Sequence, residues 1–297
     1  MPTALAEQDW VAAQAEHEAR VDALLAAHLQ RQATHRGHPV EDFLFTYYQH
    51  RPAQLRRWHP GVGRVLLGGA ASERESWRFY RAEGGAVGLD SSAFAAARGA
   101  TVRSLRDLLA ATKARPAHLG CFGLHEWAMV YRASDRRHPA YPLRLGPAAT
   151  DAIVESHQLR CSHFDAFRFF TAPARPLNRL QPTPQTRVAI EQPGCLHATM
   201  DLYQHAFRIS PATPSELTLA CFELARDVRA VDMRASPYDL SALGYQPIPI
   251  ETADGKAQYV AAQREFAERA KPLRSWLLAV CEAVLSAPAP RAAAGRR

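Results

Sequence analysis

Three clusters of cysteine, histidine and acidic residues mark the middle of the chain: Cys121-Phe-Gly-Leu-His125-Glu126, Cys161-Ser-His163-Phe-Asp165, and Cys195-Leu-His197-Ala-Thr-Met-Asp201-Leu-Tyr-Gln-His205. Imidazoles and carboxylates serve as general acids and bases or as ligands to a transition metal. Their repeated grouping predicts one shared pocket. On a helix, His197, Asp201 and His205 fall at i, i+4 and i+8 and share a face. Such a pair can hold one metal ion, or Asp201 can orient His197 through a ring nitrogen; a solvated polar face is the plainer alternative. Glu126 stands beside Trp127, a carboxyl against an apolar ring, as some general acids are placed. His163 and Asp165 are expected on one face of a strand with Phe167 and Phe169. The carboxylates Glu126, Asp165 and Asp201 are therefore the candidate catalytic groups, with His125, His163 and His197 beside them. The competing assignment is a metal centre of iron or zinc ligated by His163, His197 and Asp201.

The five cysteines are odd in number and form no C-x-x-C pair, which argues against a disulfide framework and a structural zinc knuckle. They are expected to be small buried hydrophobes. With 297 residues, 47% of them hydrophobic, the chain can bury a sizeable core. No apolar run reaches the roughly twenty residues that span a bilayer, so no membrane partner is expected. The N-terminal segment lacks the apolar stretch of a secretory signal, which makes the cytoplasm the default location. The net charge is +7, and only Lys113, Lys256 and Lys271 are lysines among the basic residues. Arginine forks suit phosphate oxygens, so the charge leans toward a polyanionic partner.

These side chains must be carried by elements that the pattern predicts as mainly helical. An Ala-rich run at 4–34 reads as a long helix, and Pro39 and Pro52 stand at first-turn positions of two shorter ones. Glycine-punctuated short runs at 61–90 predict a small β-meander. Helices are expected at 91–115, 121–132 and 148–157, a strand at 159–170, and an irregular loop at 171–194. Thr213-Pro214-Ser215-Glu216 reads as a capping box opening a helix to 234. A helix at 255–270 should break or kink at Pro272, ahead of a last helix ending near 286. The fold class is α+β, predominantly α-helical with a small β-meander, as a single domain over 1–286. A tail at 287–297 should be disordered. Arg226, Asp227, Asp232, Arg234 and Asp239 predict an ion-pair network closing a helix onto a loop, with a ligand clamp as the alternative. Arg56, Arg57 and Trp58, with Tyr47 and Tyr48 nearby, are either a surface for a nucleic-acid backbone and its bases or core aromatics with arginine stems. Pro60-Gly-Val-Gly63 is similar to the hairpin of helix–hairpin–helix glycosylases, yet the run after it is too short and glycine-rich for the second helix.

The strings HPVEDFLFTYY, RPAQLRRWHPG, GCFGLHEWAMVYR, RCSHFDAFRFFT, EQPGCLH and ELARDVRAVDMRASPYDLSALGY resemble a bacterial family labelled 3-methyladenine DNA glycosylase, over residues 35–285. That resemblance implies a base-excision DNA repair hydrolase that cleaves the N-glycosidic bond of alkylated purines in double-stranded DNA without a cofactor. The methylated base is cationic, and aromatic faces would select it once it is flipped out. One carboxylate (Asp165, Asp201 or Glu126) would stabilise the oxocarbenium-like sugar and activate water. Trp127, Phe167, Tyr203 and Trp58 are the candidates for stacking, and Arg56 and Arg57 for phosphate contact. His125, His163 and His197 would orient the carboxylate or bind phosphate. The alternative class is an iron- or zinc-dependent enzyme acting on a small molecule.

Overall fold

The computed structural model describes residues 2–135 and 138–288, so most of the expected tail, 289–297, lies outside the described residues. The fold is α+β and mainly helical, with one small mixed sheet. In helix α1 (Glu7–Ala33), Trp10, His17, Val21, Leu25 and His28 recur at intervals of three, four and seven and form the buried stripe. The short helices α2 (Phe43–Tyr47) and α3 (Pro52–Arg56) follow, Pro52 occupying the first turn of α3. Helix α4 (Ser91–Ala114) is capped by Asp90, whose Oδ1 accepts the Ala93 N–H at 2.9 Å. Then come α5 (Leu124–Ala128), α6 (Gly146–Ser156), α7 (Phe164–Phe167) and α8 (Arg187–Ile190). Helix α9 (Leu196–Arg208) is buried on nearly every side, because α10 (Ser215–Arg234) and α11 (Ala253–Leu285) pack on it; α4 lies against α11. Among the described residues no helix is long and apolar enough to cross a membrane.

The sheet departs from the expected meander. Strands β1 (Thr3–Leu5), β2 (Arg64–Leu67), β3 (Tyr80–Glu83) and β4 (Ala86–Leu89) run in the order β1-β2-β4-β3, with β1 parallel to β2 and the other pairs antiparallel. Gly84 and Gly85, at φ 60° and 80°, make the two-residue turn joining β3 to β4. The predicted long helix therefore starts three residues late, since residues 3–5 pair with β2. The sheet and the start of α1 enclose a second small core of Trp10, Trp58, Leu66, Ala71, Tyr80 and Val87.

Other expectations are also corrected. The strand at 159–170 is replaced by the helical turn α7, whose first N–H groups are capped by His163. The helix at 121–132 shrinks to α5. Thr213 does not cap α10; the N-cap is Pro214, and no side chain bonds to the first turn. Pro272 neither breaks nor ends α11, because Phe266, Ala267, Ala270, Arg274, Leu277 and Val280 are buried on both sides of it. Their packing outweighs the roughly 3 kcal/mol that an interior proline costs.

Gly255 yields a sharp test of this packing. A Cβ there would stand 2.0 Å from the Pro249 carbonyl oxygen. Alanine favours a helix interior over glycine by about 1 kcal/mol. We nevertheless expect Gly255→Ala to lower the stability measured by denaturant unfolding, by about 1–3 kcal/mol; unchanged or raised stability would show that the 249–255 corner is not tightly packed.

Candidate functional site

The three clusters converge. Cys121, His125, Cys161, Cys195 and His197 line one cavity of about 20 Å³, which is room for about one water molecule. Each arrives by a local device. Phe122 and Gly123 both adopt left-handed φ (46° and 69°), turning the chain sharply into α5, and all five residues of that helix are buried. Trp127 anchors it by donating its Nε1–H to the Ala235 carbonyl at 2.9 Å. His163 precedes α7, and His197 lies in the first turn of α9.

Two Asp–His pairs flank His197. His125 Nε2 lies 2.8 Å from Asp232 Oδ1, and His163 Nε2 lies 3.0 Å from Asp201 Oδ2. The His197 ring meets His125 edge-on at 4.3 Å between centroids and stacks on His163 at 5.3 Å. Each carboxylate has further partners. Arg229 Nη1 donates to Asp232 Oδ2 at 2.9 Å and to Glu126 Oε1 at 3.0 Å. Tyr48 donates its hydroxyl to Asp201 Oδ1 at 2.8 Å, and Arg187 Nη2 reaches Asp201 Oδ2 at 3.4 Å. His163 Nδ1 accepts the Ala166 N–H at 3.3 Å, which leaves the proton on Nε2 for Asp201. Both nitrogens of His163 are thus committed. His197 differs: its buried Nδ1 has no hydrogen-bond partner.

Burial acts against every charge here, and the pairs decide which survive. Burial opposes ionisation of Asp201 and Asp232, but the facing imidazoles and arginines hold both far below the usual carboxylate range. Burial would lower His125 and His163, yet the attraction of Asp232 and Asp201 turns both shifts upward. His197 is driven well down by burial and by His125, so it is a neutral imidazole with a free lone pair. Burial raises all three cavity thiols, Cys161 to about 12, so they stay protonated.

The donors of His125, His197 and Asp232 all lie within 4.8 Å of one another. Among the described residues the expected set His163, His197 and Asp201 does not form such a group, because Asp201 and His163 are turned to each other. The three expected carboxylates do not share a pocket. Glu126 is buried in the Arg229 ion pair, Asp201 faces Tyr48 and His163, and Asp165 is half-buried with Arg168 and Arg187 at 3.2 and 3.7 Å, Arg187 being the one group it shares with Asp201. Trp127, Phe167 and Tyr203 belong to the main core and Trp58 to the small one, so none presents a free stacking face. Arg56 is paired with Glu18 and Asp22. Asp232, Arg229, Tyr48 and Arg187 were not singled out for the site from the sequence. The dense charges around Asp232 were the one signal, and they pointed to an ion-pair network.

Arg57 lies elsewhere, in an open cleft of about 600 Å³ that also holds Arg78, Arg98 and Arg208. His50, His59, Trp77, Phe79, Tyr80 and Phe207 complete its aromatic lining, and among the described residues no carboxylate lines it. Searches of protein-family models, curated proteins and solved structures found nothing that matches this chain.

The buried histidines set an acid sensitivity. Burial lowers His205, on the same helix as His197, to about 4. The unfolded chain then binds more protons between about pH 6.5 and 4, so stability falls as pH drops through that window. This one group accounts for up to roughly 3 kcal/mol. His125 and His163 act oppositely: their contribution is complete below about pH 6.5 and is lost as pH rises through their raised folded values. We expect the melting temperature to fall from pH 6.5 to 4, and His205→Leu to flatten that fall; an unchanged slope in the variant would contradict the assignment.

Proposed function

We propose that the protein is a metal-dependent enzyme acting on a small molecule, its iron or zinc ion held by His125, His197 and Asp232. The observation that carries this reading is the buried convergence of these donors beside a cavity, with His197 Nδ1 left without a partner. Buried ring nitrogens of His50 and His205 are unpaired as well, so the free His197 nitrogen only permits a ligand, and it is the convergence of three donors that favours one. Two imidazoles and one carboxylate leave open coordination positions, the arrangement of non-haem iron and hydrolytic zinc sites. Charge agrees with this. Asp232 and Glu126 share a single arginine, and the His125 imidazole supplies the second positive partner of Asp232, a place that a cation would take once His125 is deprotonated.

The surrounding residues then have distinct tasks. Arg229 and Glu126 fix the Asp232 carboxylate, as second partners of ligands do in metal sites. His163, held at both nitrogens, is a rigid plate against the His197 ring, and Asp201 with Tyr48 keeps that plate in place. The cysteines stay neutral and form the cavity wall. A bound ion would polarise or activate whatever occupies the cavity. His125 must surrender the proton it shares with Asp232 before it can ligate, so metal affinity should weaken as pH falls.

After loading with iron(II) or zinc(II), elemental analysis should find about one ion per chain. His197→Ala should lose it while keeping the far-ultraviolet circular dichroism of the parent. Equal metal content in the variant, or no ion in the parent, would sink this reading.

A second reading, cleavage of the N-glycosidic bond of alkylated purines in DNA, draws on the sequence resemblance and on the cleft. Four arginines among aromatic rings suit a nucleic-acid backbone and its bases. No carboxylate reaches the cleft, so it supports the binding step alone. On this reading, incubation with alkylated DNA releases free methylpurine, and Arg57→Ala with Arg98→Ala weakens DNA binding and flattens its salt dependence. No release at high enzyme, beside an active control glycosylase, argues against it.

A further inference from the structure

Outside the buried cavity lies a second space of about 300 Å³, open to solvent and lined in part by Arg115, His118, Leu180 and Ile190. Arg160, Ser162 and Gln192 line both spaces and so form the wall between them. Gln192 is fixed: its Oε1 accepts the His118 and Gly194 N–H groups at 2.8 and 2.7 Å, and its Nε2 donates to the His118 carbonyl at 3.2 Å. Arg115 is committed to the carbonyls of Glu191 and Val188 at 2.7 and 2.5 Å. Arg160 and Ser162 are different. Among the described residues the exposed Arg160 guanidinium makes no ion pair or hydrogen bond, and the hydroxyl of Ser162, a residue only 7% exposed, makes no hydrogen bond. Among the described residues no aspartate or glutamate lines either space. A rigid frame therefore presents two free donor groups in the wall shared with the cavity of His125 and His197, in a positive field.

We propose that this outer space acts as a doorway site that binds a small carboxylate, its two oxygens held by Arg160 and the Ser162 hydroxyl, on the wall it shares with the cavity of His125 and His197. A planar carboxylate matches one guanidinium fork plus one hydroxyl. Leu180, Ile190 and Pro116 supply an apolar flank for a short hydrocarbon body. The proposal rests on the metal-centre reading for what happens to the molecule, but not for its capture.

Trifluoroacetate is a suitable probe, followed by fluorine NMR on the full chain in metal-loaded and chelator-stripped form, with trifluoroethanol as the neutral counterpart. Saturable broadening of trifluoroacetate alone is expected. It should weaken at least tenfold in Arg160→Gln and less in Ser162→Ala, with metal content unchanged in both variants. Equal binding to Arg160→Gln, equal binding of trifluoroethanol, or no saturable binding to the parent overturns the doorway. Binding that depends on Arg160 in a protein that takes up no metal keeps the doorway and removes the metal centre, so the two failures are distinguishable.

Discussion

The site depends on one buried guanidinium. Arg229 is 1% exposed and is shared by Glu126 on α5 and Asp232 on its own helix α10. Two carboxylates this deep require a cation, and removing one partner of a buried pair typically costs about 3–5 kcal/mol. Arg229 thereby ties α5 to α10, and Asp232 passes the constraint to His125 across 107 residues of sequence. On the other side of His197, Arg187 and Asp201 do the same for His163. The two pairs hold the flanking rings, and α9 carries His197 between them.

That arrangement separates structural histidines from the chemically available one. His163 spends one nitrogen on an α7 backbone N–H and the other on Asp201, so it has nothing left to offer a ligand or substrate. His125 shares a proton with Asp232 that a cation can replace. His197 is neutral, and its Nδ1 is unbonded. Rigid, satisfied neighbours around one unsatisfied donor are what a preorganised ligand set requires. The thiols take no part, because burial keeps them protonated, and the Cys161 thiol donates to the His163 carbonyl.

Much of this was legible in the residues themselves. The clustering of Cys121, Cys161 and Cys195 with His125 and His197 did mark one cavity, which His163 does not line, and the spacing from His197 to His205 did mark a helix. The partners were not legible, because they come from contacts distant in sequence. His197 and Asp201 share a helix, yet Asp201 turns to Tyr48, 153 residues away. Asp165 was misplaced through a wrong period: His163 caps a helical turn where alternation suggested a strand, which turns Asp165 away from His163 to a half-buried place beside Arg168. Trp58, Trp127, Phe167 and Tyr203 carry no local sign separating a stacking platform from core, and all four are core. Three residues at the N-terminus form β1 because β2 offers an edge, a fact that helix propensity in residues 3–5 cannot register.

The most direct measurement is the X-ray absorption spectrum of the metal-loaded protein at the edge of the bound ion. The account predicts a first shell of nitrogen and oxygen near 2.0–2.2 Å with two imidazole scattering patterns and no sulfur. A shell containing sulfur at about 2.3 Å would move the ion to the cysteines, and a shell without imidazole would remove it from His125 and His197; either result contradicts the assignment.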